Sequence, residues 1–451
     1  MNPSGKIWIT VCVVFVLLSA GVLFVWYGVP VVHAAAANGV AEESTQGIHA
    51  DKDVGAARII EVDETGANPE SSDRGVVREG RSILAQASGK SESKKKDVEA
   101  NPSWKSEELN LLGVGMGIGD VDGDGNNEIV IIDPSTVYLY RMEDNKLKLV
   151  TQYSAGSLEL KTVDVAKIRK QGPARIYVSA QNRGSVASFV VEYQNGALVP
   201  VIQDFSYFLR VINYPTKGPI LLGQQKGARR MYDGPIYQLA DKGDDLEVQG
   251  RFGVPLKIPI FGFAIGDLEG KRKPLIAVYD KTDHLRVYGP DGKKLYVSKD
   301  YYGSSDVILR WAGPEARRDI ELVQADQEIV YLRPRIVTWA VNRNSPYQVL
   351  AISHQSKTMR LLGRMKMLEE GEVVGLSWNG DAFEDKWATP KVQGMLMDFA
   401  VDTLPGLSGE RLITLERKKT DWLAFLKSRS QVNAYELRSL VQGGRSQPKA
   451  Q

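Results

Sequence analysis

The fold of this 451-residue chain is decided by one stretch, Gly119-Asp120-Val121-Asp122-Gly123-Asp124-Gly125-Asn126-Asn127-Glu128-Ile129-Val130-Ile131-Ile132. Its acidic residues stand at alternate positions and lead straight into a β-branched apolar run. Ca²⁺ takes about six to eight oxygen ligands, and a tight loop supplies them from alternate positions. The predicted ligands are Asp120, Asp122, Asp124, the Asn126 carbonyl and Glu128. We predict one calcium ion here; the alternative is an Asp/Gly-rich turn whose acids are merely solvated.

The segments that flank this loop are strands, not the helices of an EF-hand. Position 12, where an EF-hand carries a bidentate Glu, is Ile131. A Gly-rich strand, the motif Gly-Asp-x-Asp-x-Asp-Gly-x-x-Glu and an apolar strand together resemble the FG-GAP/VCBS repeat. That resemblance implies an integrin-α-like β-propeller of the bacterial envelope. It also implies a binding or scaffolding role, since members of this family generally act as such modules.

Composition narrows the function classes. The formal net charge is +2, so no nucleic-acid partner is expected. The single cysteine, Cys12, excludes a framework of internal disulfides. Only four histidines occur in the chain, which makes zinc sites and His-based catalytic triads poor candidates.

The N-terminal region predicts export. Residues 7–32 carry no charge and follow Lys6, so residues 1–36 are either a cleaved signal peptide or a transmembrane anchor. Both alternatives place the rest of the chain beyond the cytoplasmic membrane: periplasmic, anchored to the inner membrane, or at the cell surface. Residues 37–103 are polar and lack Phe, Trp and Tyr, which predicts a disordered linker.

Short apolar strands and turn signals follow from residue 104, which predicts an all-β fold. The strand before the acidic loop recurs at intervals typical of propeller blades. The clearest copy is Phe261-Gly262-Phe263-Ala264-Ile265-Gly266-Asp267, and weaker copies end at Asp164, Ile212, Ala340 and Asp402. We therefore predict a six-bladed propeller over residues 104–440, with seven blades possible. An insertion near 305–334 is preferred to a seventh blade, because that stretch has no anchor copy and poor strand signals. Residues 441–451 are predicted to be a disordered tail.

Ring closure is predicted from a shared outer-strand pattern. Trp104-Lys105-Ser106 resembles Trp387-Ala388-Thr389 in sequence and in its distance from the next anchor. The first strand is therefore expected to complete the last blade, which hides sheet edges.

The functional prediction is a non-enzymatic, calcium-stabilised module that binds an envelope protein or a cell-surface glycan. It would also contact the membrane through the N-terminal segment if that segment is uncleaved. Only the first loop keeps its acids, so one ion is expected. In the loop after Asp267, Lys271 replaces a ligand, and salt bridges are expected to hold that loop. The alternative is a polysaccharide lyase or hydrolase with its site at the central channel. We disfavour it because the anchor strands are expected to present mostly apolar groups there.

Overall fold

The computed structural model describes residues 101–227, 231–232, 234–254, 258–312, 327–342, 344–355, 370–418 and 429–444. The predicted signal or membrane segment lies outside these residues, and so does the predicted linker up to residue 100. The described part is nearly all-β, with 27 strands and one short helix. None of its helices is long and apolar enough to cross a membrane.

The chain enters the fold at β1 (Trp104–Lys105) and then forms a series of antiparallel sheets. Sheet 1 contains β2 (Gly115–Gly119), β3 (Glu128–Ile132), β4 (Thr136–Glu143) and β5 (Lys146–Ser154). Sheet 2 contains β6 (Glu159–Ala166), β7 (Arg175–Asn182), β9 (Ser188–Gln194) and β10 (Ala197–Phe205), with the short β8 (Ser185–Val186) beside β7. Sheet 3 contains β11 (Phe208–Tyr214), β12 (Gly218–Gln224), β13 (Ile236–Asp241) and β14 (Leu246–Arg251).

The later sheets repeat this order. Sheet 4 contains β15 (Phe263–Gly266), β16 (Leu275–Tyr279), β17 (His284–Tyr288) and β18 (Lys294–Tyr301). A two-stranded ribbon follows, made of β19 (Ile308–Ala312) and β20 (Gln327–Tyr331). Sheet 5 contains β21 (Ile336–Trp339), β22 (Gln348–Gln355), β23 (Glu370–Trp378) and β24 (Phe383–Ala388). Sheet 6 contains β25 (Val392–Asp402), β26 (Arg411–Lys418) and β27 (Ser430–Glu436), with β1 at its edge.

Burial falls from the first strands of a sheet to its last. The β3 residues are all buried, whereas β5 is mostly exposed. β-Branched residues dominate the buried strands because they pack well on a pleated surface. The hairpin turn between β9 and β10 uses Asn195 and Gly196 with φ of 51° and 87°, the left-handed pair that a type I′ turn requires.

The first strands of the sheets lie beside one another in chain order, which gives a propeller-like arrangement. β2 contacts β6, β6 contacts β11, β11 contacts β15, β15 contacts β21, and β25 contacts β2. Sheets 5 and 6 are joined by a short pairing of β23 with β25. Close packing explains the glycines of the anchor strand: a Cβ on Gly119 would lie 2.7 Å from the Val165 side chain of β6.

The predicted partner of the first strand is confirmed. Trp104 pairs with Ala434 of β27, so the start of the described chain is the outer strand of sheet 6. Ser103 reinforces this pairing, since its hydroxyl donates to the Ala434 carbonyl at 3.0 Å. The Trp104 indole also donates to the Asn145 carbonyl of sheet 1 at 2.8 Å.

The structure contains two local elements that the sequence pattern did not indicate. The stretch 305–334 is not poor in strands, because β19 and β20 form five antiparallel residue pairs; Leu309 within β19 is fully buried. The predicted disordered tail begins inside helix α1 (Leu437–Gly443). Leu437 and Leu440, one helical turn apart, are buried and stabilise this helix, which is too short for its period to stand out in the sequence. The tail beyond residue 444 lies outside the described residues.

Candidate functional site

The acidic loop, residues 120–128 between β2 and β3, brings three of the five predicted ligands together. Carboxylate oxygens of Asp120, Asp122 and Asp124 lie within 4.8 Å of one another. The Gly123 and Gly125 N–H groups donate to the two Asp120 oxygens at 2.6 and 3.1 Å. Both glycines have positive φ, 82° and 88°, which curls the backbone around the carboxylates.

The carboxylates of Asp122 and Asp124 also accept backbone N–H groups of the loop. The Asp124 N–H donates to Asp122 at 3.0 Å, and the Asn126 N–H donates to Asp124 at 2.7 Å. The bond from Asn126 lowers the pKa of the Asp124 carboxyl, although this side chain is exposed. Backbone hydrogen bonds therefore preorganise all three carboxylates of the loop.

Glu128, the fifth predicted ligand, lies outside the group of three. It is fully buried at the start of β3, where it accepts the Val121 N–H at 3.1 Å and the Arg141 Nε–H at 3.2 Å. Burial raises the pKa of Glu128 above its ordinary value, although both hydrogen bonds act in the opposite direction. The Arg141 guanidinium also forms an ion pair with Asp122.

The donor set fits a hard cation only in part. Three clustered carboxylates supply the oxygen chemistry that Ca²⁺ prefers. Arg141 is a cation already placed against Asp122 and Glu128, so it opposes a divalent ion on that side of the loop. Asp120, Asp122 and Asp124, with the exposed Asn126, are the residues that would hold the ion.

The acidic loop also connects three sheets. The Asn127 amide donates to the Asp402 carboxylate at 2.9 Å and to the Thr403 carbonyl at 3.0 Å, both at the end of β25. On the other side, the Ala174 N–H of sheet 2 donates to the Asp120 carbonyl at 2.8 Å. The acidic loop therefore contributes hydrogen bonds to the junction between sheets 6 and 1 and to the junction between sheets 1 and 2.

Beside the loop opens a cavity of about 660 Å³, which we call the channel-mouth cavity. The first strands of all six sheets supply its walls, and Asp120 belongs to both the acidic loop and the cavity rim. Its charged lining residues are Asp120, Asp164, Lys167, Arg210, Arg335 and Asp402. The volume is typical of pockets that hold small organic groups or a peptide side chain.

A group of four charged residues, the central ion cluster, closes the bottom of this cavity; three are buried and the Arg335 side chain is 11% exposed. It consists of Asp164, Arg210, Arg335 and Asp398. Arg335 bonds Asp164 at 2.6 Å and Asp398 at 2.8 Å. Its remaining N–H groups donate to the carbonyls of Met116 and Val163 at 3.0 and 2.9 Å. One guanidinium thus joins sheets 1, 2, 5 and 6.

Backbone N–H groups complete this cluster. Asp164 accepts the Arg210 guanidinium at 2.9 Å and the Val211 N–H at 2.8 Å. Asp398 accepts the Met116 N–H at 3.0 Å. Most of the anchor-strand residues that line the cavity are apolar, as expected, but Asp164 and Arg210 add paired charges to that lining. The signal that could have revealed the cluster is a charged residue between apolar neighbours in three first strands: Asp164 between Val163 and Val165, Arg210 between Leu209 and Val211, and Asp398 between Met397 and Phe399.

The opposite end of the channel is covered by the ribbon of β19 and β20. The Gln181 side chain of sheet 2 exchanges two hydrogen bonds with the backbone of Arg310, at 2.9 and 3.0 Å. Asp306, just before the ribbon, pairs with Arg417 of sheet 6 at 2.5 Å. The channel-mouth cavity is therefore blind, since both the ion cluster and the ribbon lie behind it.

The strand register places the decayed copies of the acidic loop at other residues than the sequence pattern indicates. Gly119 pairs with Glu128, and the equivalent pairs are Ala166 with Arg175 and Asp402 with Arg411. The first ligand position in sheet 2 is therefore Lys167, and Asp164 lies inside β6. Asp402 corresponds to Gly119 and not to Asp120.

The copy in sheet 4 is in register. Its Asp267 accepts the Lys271 and Arg272 N–H groups at 3.0 and 2.7 Å. The predicted internal salt bridge is confirmed between Lys271 and Glu269 at 3.1 Å.

Comparisons with known proteins add little to this geometry. No family model matches the chain, and no curated protein matches it. Among solved structures, BBS1N in complex with ARL6DN is 11% identical, with 73% of this chain and 81% of that one covered and a TM-score of 0.37. Sqt1 of Saccharomyces cerevisiae is 8% identical, with 75% and 100% covered and a TM-score of 0.33.

A third similar structure is an oxidoreductase of Thermus thermophilus described as a glucose dehydrogenase. It is 10% identical, with 74% of this chain and 98% of that one covered and a TM-score of 0.38. These scores are too low to carry an argument, so the propeller-like fold rests on the sheets themselves.

Proposed function

We propose that this chain is a calcium-stabilised, non-enzymatic binding module that recognises a protein or a glycan through the face bearing the channel-mouth cavity. One observation carries the proposal: the cavity is open at one face, walled by all six sheets and closed behind by the central ion cluster. Such a cavity can hold a projecting group of a partner but does not let it pass through.

The six sheets are, in this proposal, the blades of a closed propeller of the FG-GAP/VCBS type. The contacts between the first strands of sheets 6, 1, 2, 3, 4 and 5, the pairing of β23 with β25 and the pairing of β1 with β27 support closure. The ribbon of β19 and β20 is an insertion between blades 4 and 5, since it has two strands and no acidic-loop copy among its described residues.

We propose that the chain is not an enzyme because the carboxylates at the bottom of the cavity are already paired with Arg335. Asp164 and Asp398 both pair with Arg335 and accept backbone N–H groups, which holds the two carboxylates in place. A general acid or base needs a proton that it can exchange with a bound substrate. The cluster is suited to holding the ring together.

The location outside the cytoplasmic membrane is proposed from the sequence of residues 1–36. A Lys residue followed by a long uncharged run is typical of an export signal or an anchor. Intact-mass measurement of the exported protein distinguishes these two forms, because cleavage removes the residues before about Ala34.

Calcium binding is proposed for Asp120, Asp122, Asp124 and the Asn126 carbonyl. Glu128, the fifth ligand predicted from the sequence, pairs with Arg141 and lies outside the group of three carboxylates. A tenfold excess of Ca²⁺ over its Kd adds about 1.4 kcal/mol to the free energy of unfolding. For a domain of roughly 340 residues, that is a rise in Tm of about 2 °C.

The calcium experiment compares Tm with and without saturating Ca²⁺. Asp122→Asn should abolish the increment, whereas Asp267→Asn, in the decayed copy of sheet 4, should keep it. Arg141→Gln should enlarge the increment, because buried Glu128 then lacks its cation. A wild-type Tm that does not respond to Ca²⁺ would refute the metal proposal and leave the binding proposal intact.

The binding face is tested by capture from envelope extract with paired variants. Asn213 is exposed and lines the cavity, so Asn213→Trp should obstruct the mouth. Leu149 is half exposed on the outer strand β5, so Leu149→Trp is the matched control. A partner lost only with Asn213→Trp supports the mouth as the binding site, and equal capture by both variants contradicts it.

A second candidate function, a polysaccharide lyase or hydrolase at the channel, is favoured by one residue. Asp402 lines the cavity, and burial raises the pKa of its carboxyl, a property that a general acid requires. Depolymerisation of a polysaccharide that disappears in Asp402→Asn would establish this activity in place of the binding module.

A further inference from the structure

The outer strand of sheet 4, β18, concentrates the exposed apolar side chains of the described residues. Leu295, Val297 and Tyr301 are 45%, 38% and 47% exposed. The other large apolar side chains with comparable exposure stand singly, on or beside strands of three other sheets: Leu149, Val248 and Val341. Single exposed apolar residues need no explanation, whereas three on one strand indicate an interaction surface.

These three side chains share one face of the strand. Val297 lies opposite Arg286 of β17. Tyr301 lies opposite His284, two residues earlier on β17. Residues two apart on a strand point to the same face, and directly paired residues share a face. Leu295 stands two residues before Val297 and therefore joins that face. We call Leu295, Val297 and Tyr301 the outer stripe.

The strand that carries the outer stripe has an open edge. β18 is the last strand of sheet 4, and no strand of the described residues pairs with its other edge. An edge strand with exposed apolar side chains is a template for pairing with a further strand. Two bulges interrupt the pairing of β18 with β17, and the regular stretch between them holds Tyr296 and Val297. A further strand therefore fits best when its pairing is centred on this stretch.

The charges along β18 select the kind of partner. Lys294, Lys299 and Asp300 are exposed, and none of them forms an ion pair with a described residue. Lysine side chains on an edge strand oppose pairing with a strand that offers no counter-charge. A second copy of β18 does offer one. Turned antiparallel about Val297, it places its Asp300 opposite Lys294, because each of these residues lies three positions from Val297. Two-fold symmetry repeats the same contact on the other side of the axis.

The same register covers the outer stripe. Val297 meets its own counterpart on the axis, and Leu295 lies opposite Lys299 of the second copy, whose methylene stem can pack on it. Tyr301 lies opposite Lys293 of the second copy, an arrangement that suits a cation over an aromatic ring. A register displaced by one residue toward the start of the strand would instead place Lys294 opposite Lys299, which like charges disfavour.

We propose that two copies of this chain associate through β18, paired antiparallel with Val297 on the two-fold axis. Each copy keeps its channel-mouth cavity, since that cavity is lined by the first strands and not by β18. The dimer is then a bivalent module, which binds more tightly to a partner that offers the recognised group more than once. One strand from each copy makes a small interface, so the association is weak and depends on concentration. This proposal goes beyond the binding function and does not depend on calcium.

The first experiment reverses the charges of the full chain in detergent and measures the molar mass of the protein by light scattering. Lys294→Asp places acids opposite each other in the dimer, and Asp300→Lys places cations there, so each variant alone should lose the dimer. Mixing the two variants restores opposite charges at both contacts, and a heterodimer should form. Both side chains are exposed, so an unchanged melting temperature checks that folding is intact.

The second experiment places a cysteine on the two-fold axis. Cys12 is the single cysteine of the chain, so Cys12→Ser gives a background without thiols. Directly opposed residues of antiparallel strands have Cβ atoms about 4.5–5.5 Å apart, close to the span of a disulfide. Val297→Cys in this background should therefore give a covalent dimer on mild oxidation. Val248→Cys, at a similarly exposed position on the outer strand β14, is the matched control and should stay monomeric.

Three outcomes overturn the proposal. The first is equal crosslinking of Val297→Cys and Val248→Cys, which indicates random collision of exposed thiols. The second is a wild-type dimer that both charge variants keep, which assigns self-association to another part of the chain. The third is a wild-type chain that stays monomeric at high concentration and a Val297→Cys variant that does not crosslink, which leaves the outer stripe to a different protein.

Discussion

Arg335 is the residue whose removal should disturb the ring most. It forms ion pairs with Asp164 and Asp398 and donates to backbone carbonyls of β2 and β6. Arg335→Met keeps the length of the side chain and removes its charge. Asp164 then retains Arg210, whereas Asp398 retains only backbone donors, so one buried carboxylate is left without a cation.

The expected cost follows from that single uncompensated charge. Breaking a buried ion pair by removing one partner costs about 3–5 kcal/mol. With an unfolding entropy of about 2.1 cal/mol/K per residue over roughly 340 residues, this corresponds to a fall in Tm of about 4–7 °C. Because the pair is buried, the fall should be nearly the same at low and high salt.

A double-mutant cycle measured by thermal and urea unfolding checks the reasoning. Asp398→Asn keeps an acceptor for the Met116 N–H and removes the charge. Arg335→Met combined with Asp398→Asn should therefore be more stable than Arg335→Met alone. If Asp398→Asn is equally destabilising in both backgrounds, the two side chains are not coupled and the cluster does not hold the ring.

Three further predictions concern other parts of the fold. Burial raises the pKa of Asp402 above its unfolded value of about 3.8. The ionised Asp402 carboxylate therefore lowers the free energy of unfolding at pH 7. Asp402→Asn should raise Tm at pH 7, and this gain should vanish below about pH 4, where the carboxyl is protonated in both states. A lower Tm of the variant at pH 7 would contradict this reasoning. Trp104→Ala removes a buried indole and its bond to Asn145, and should cost about 3–5 kcal/mol in urea unfolding, whereas a cost below about 1 kcal/mol would mean that β1 is dispensable. A Cβ on Gly375 would lie 2.1 Å from the Trp387 indole, so Gly375→Ala should lower the free energy of unfolding by about 1–3 kcal/mol, and an unchanged Tm would show that the indole can shift freely.

Much of the sheet order could be predicted because its signals are local. Turn residues such as Asn195 and Gly196 mark hairpins without reference to the rest of the chain. The acidic loop is equally local: Asp120, Asp122 and Asp124 converge because their spacing and the intervening glycines make them do so. The pairing of Trp104 with the last sheet could be predicted because outer strands share a short pattern.

The central ion cluster could not be predicted from spacing. Its members, Asp164, Arg210, Arg335 and Asp398, come from four sheets and meet only when the ring forms. The sequence pattern assigns Asp164 to a decayed loop because an isolated acid after an apolar run fits that pattern. The strand register, with Ala166 paired to Arg175, places it inside the sheet. Glu128 is a second example. Its place in the sequence pattern predicts a metal ligand, but in the fold its buried carboxylate pairs with Arg141.

The pairing of β1 with β27 has a consequence for the order in which the molecule assembles. Ser103 and Ala434, which bond across this seam, are 331 residues apart. The first strand to leave the ribosome or an export channel must therefore wait for the last one before sheet 6 is complete. Contacts of such long sequence separation form slowly. A chain truncated before β27 would lose two strands of sheet 6 at once and expose the open edge of β26. An incomplete chain therefore exposes a strand edge that can pair with other chains. We expect prematurely terminated copies to aggregate for this reason.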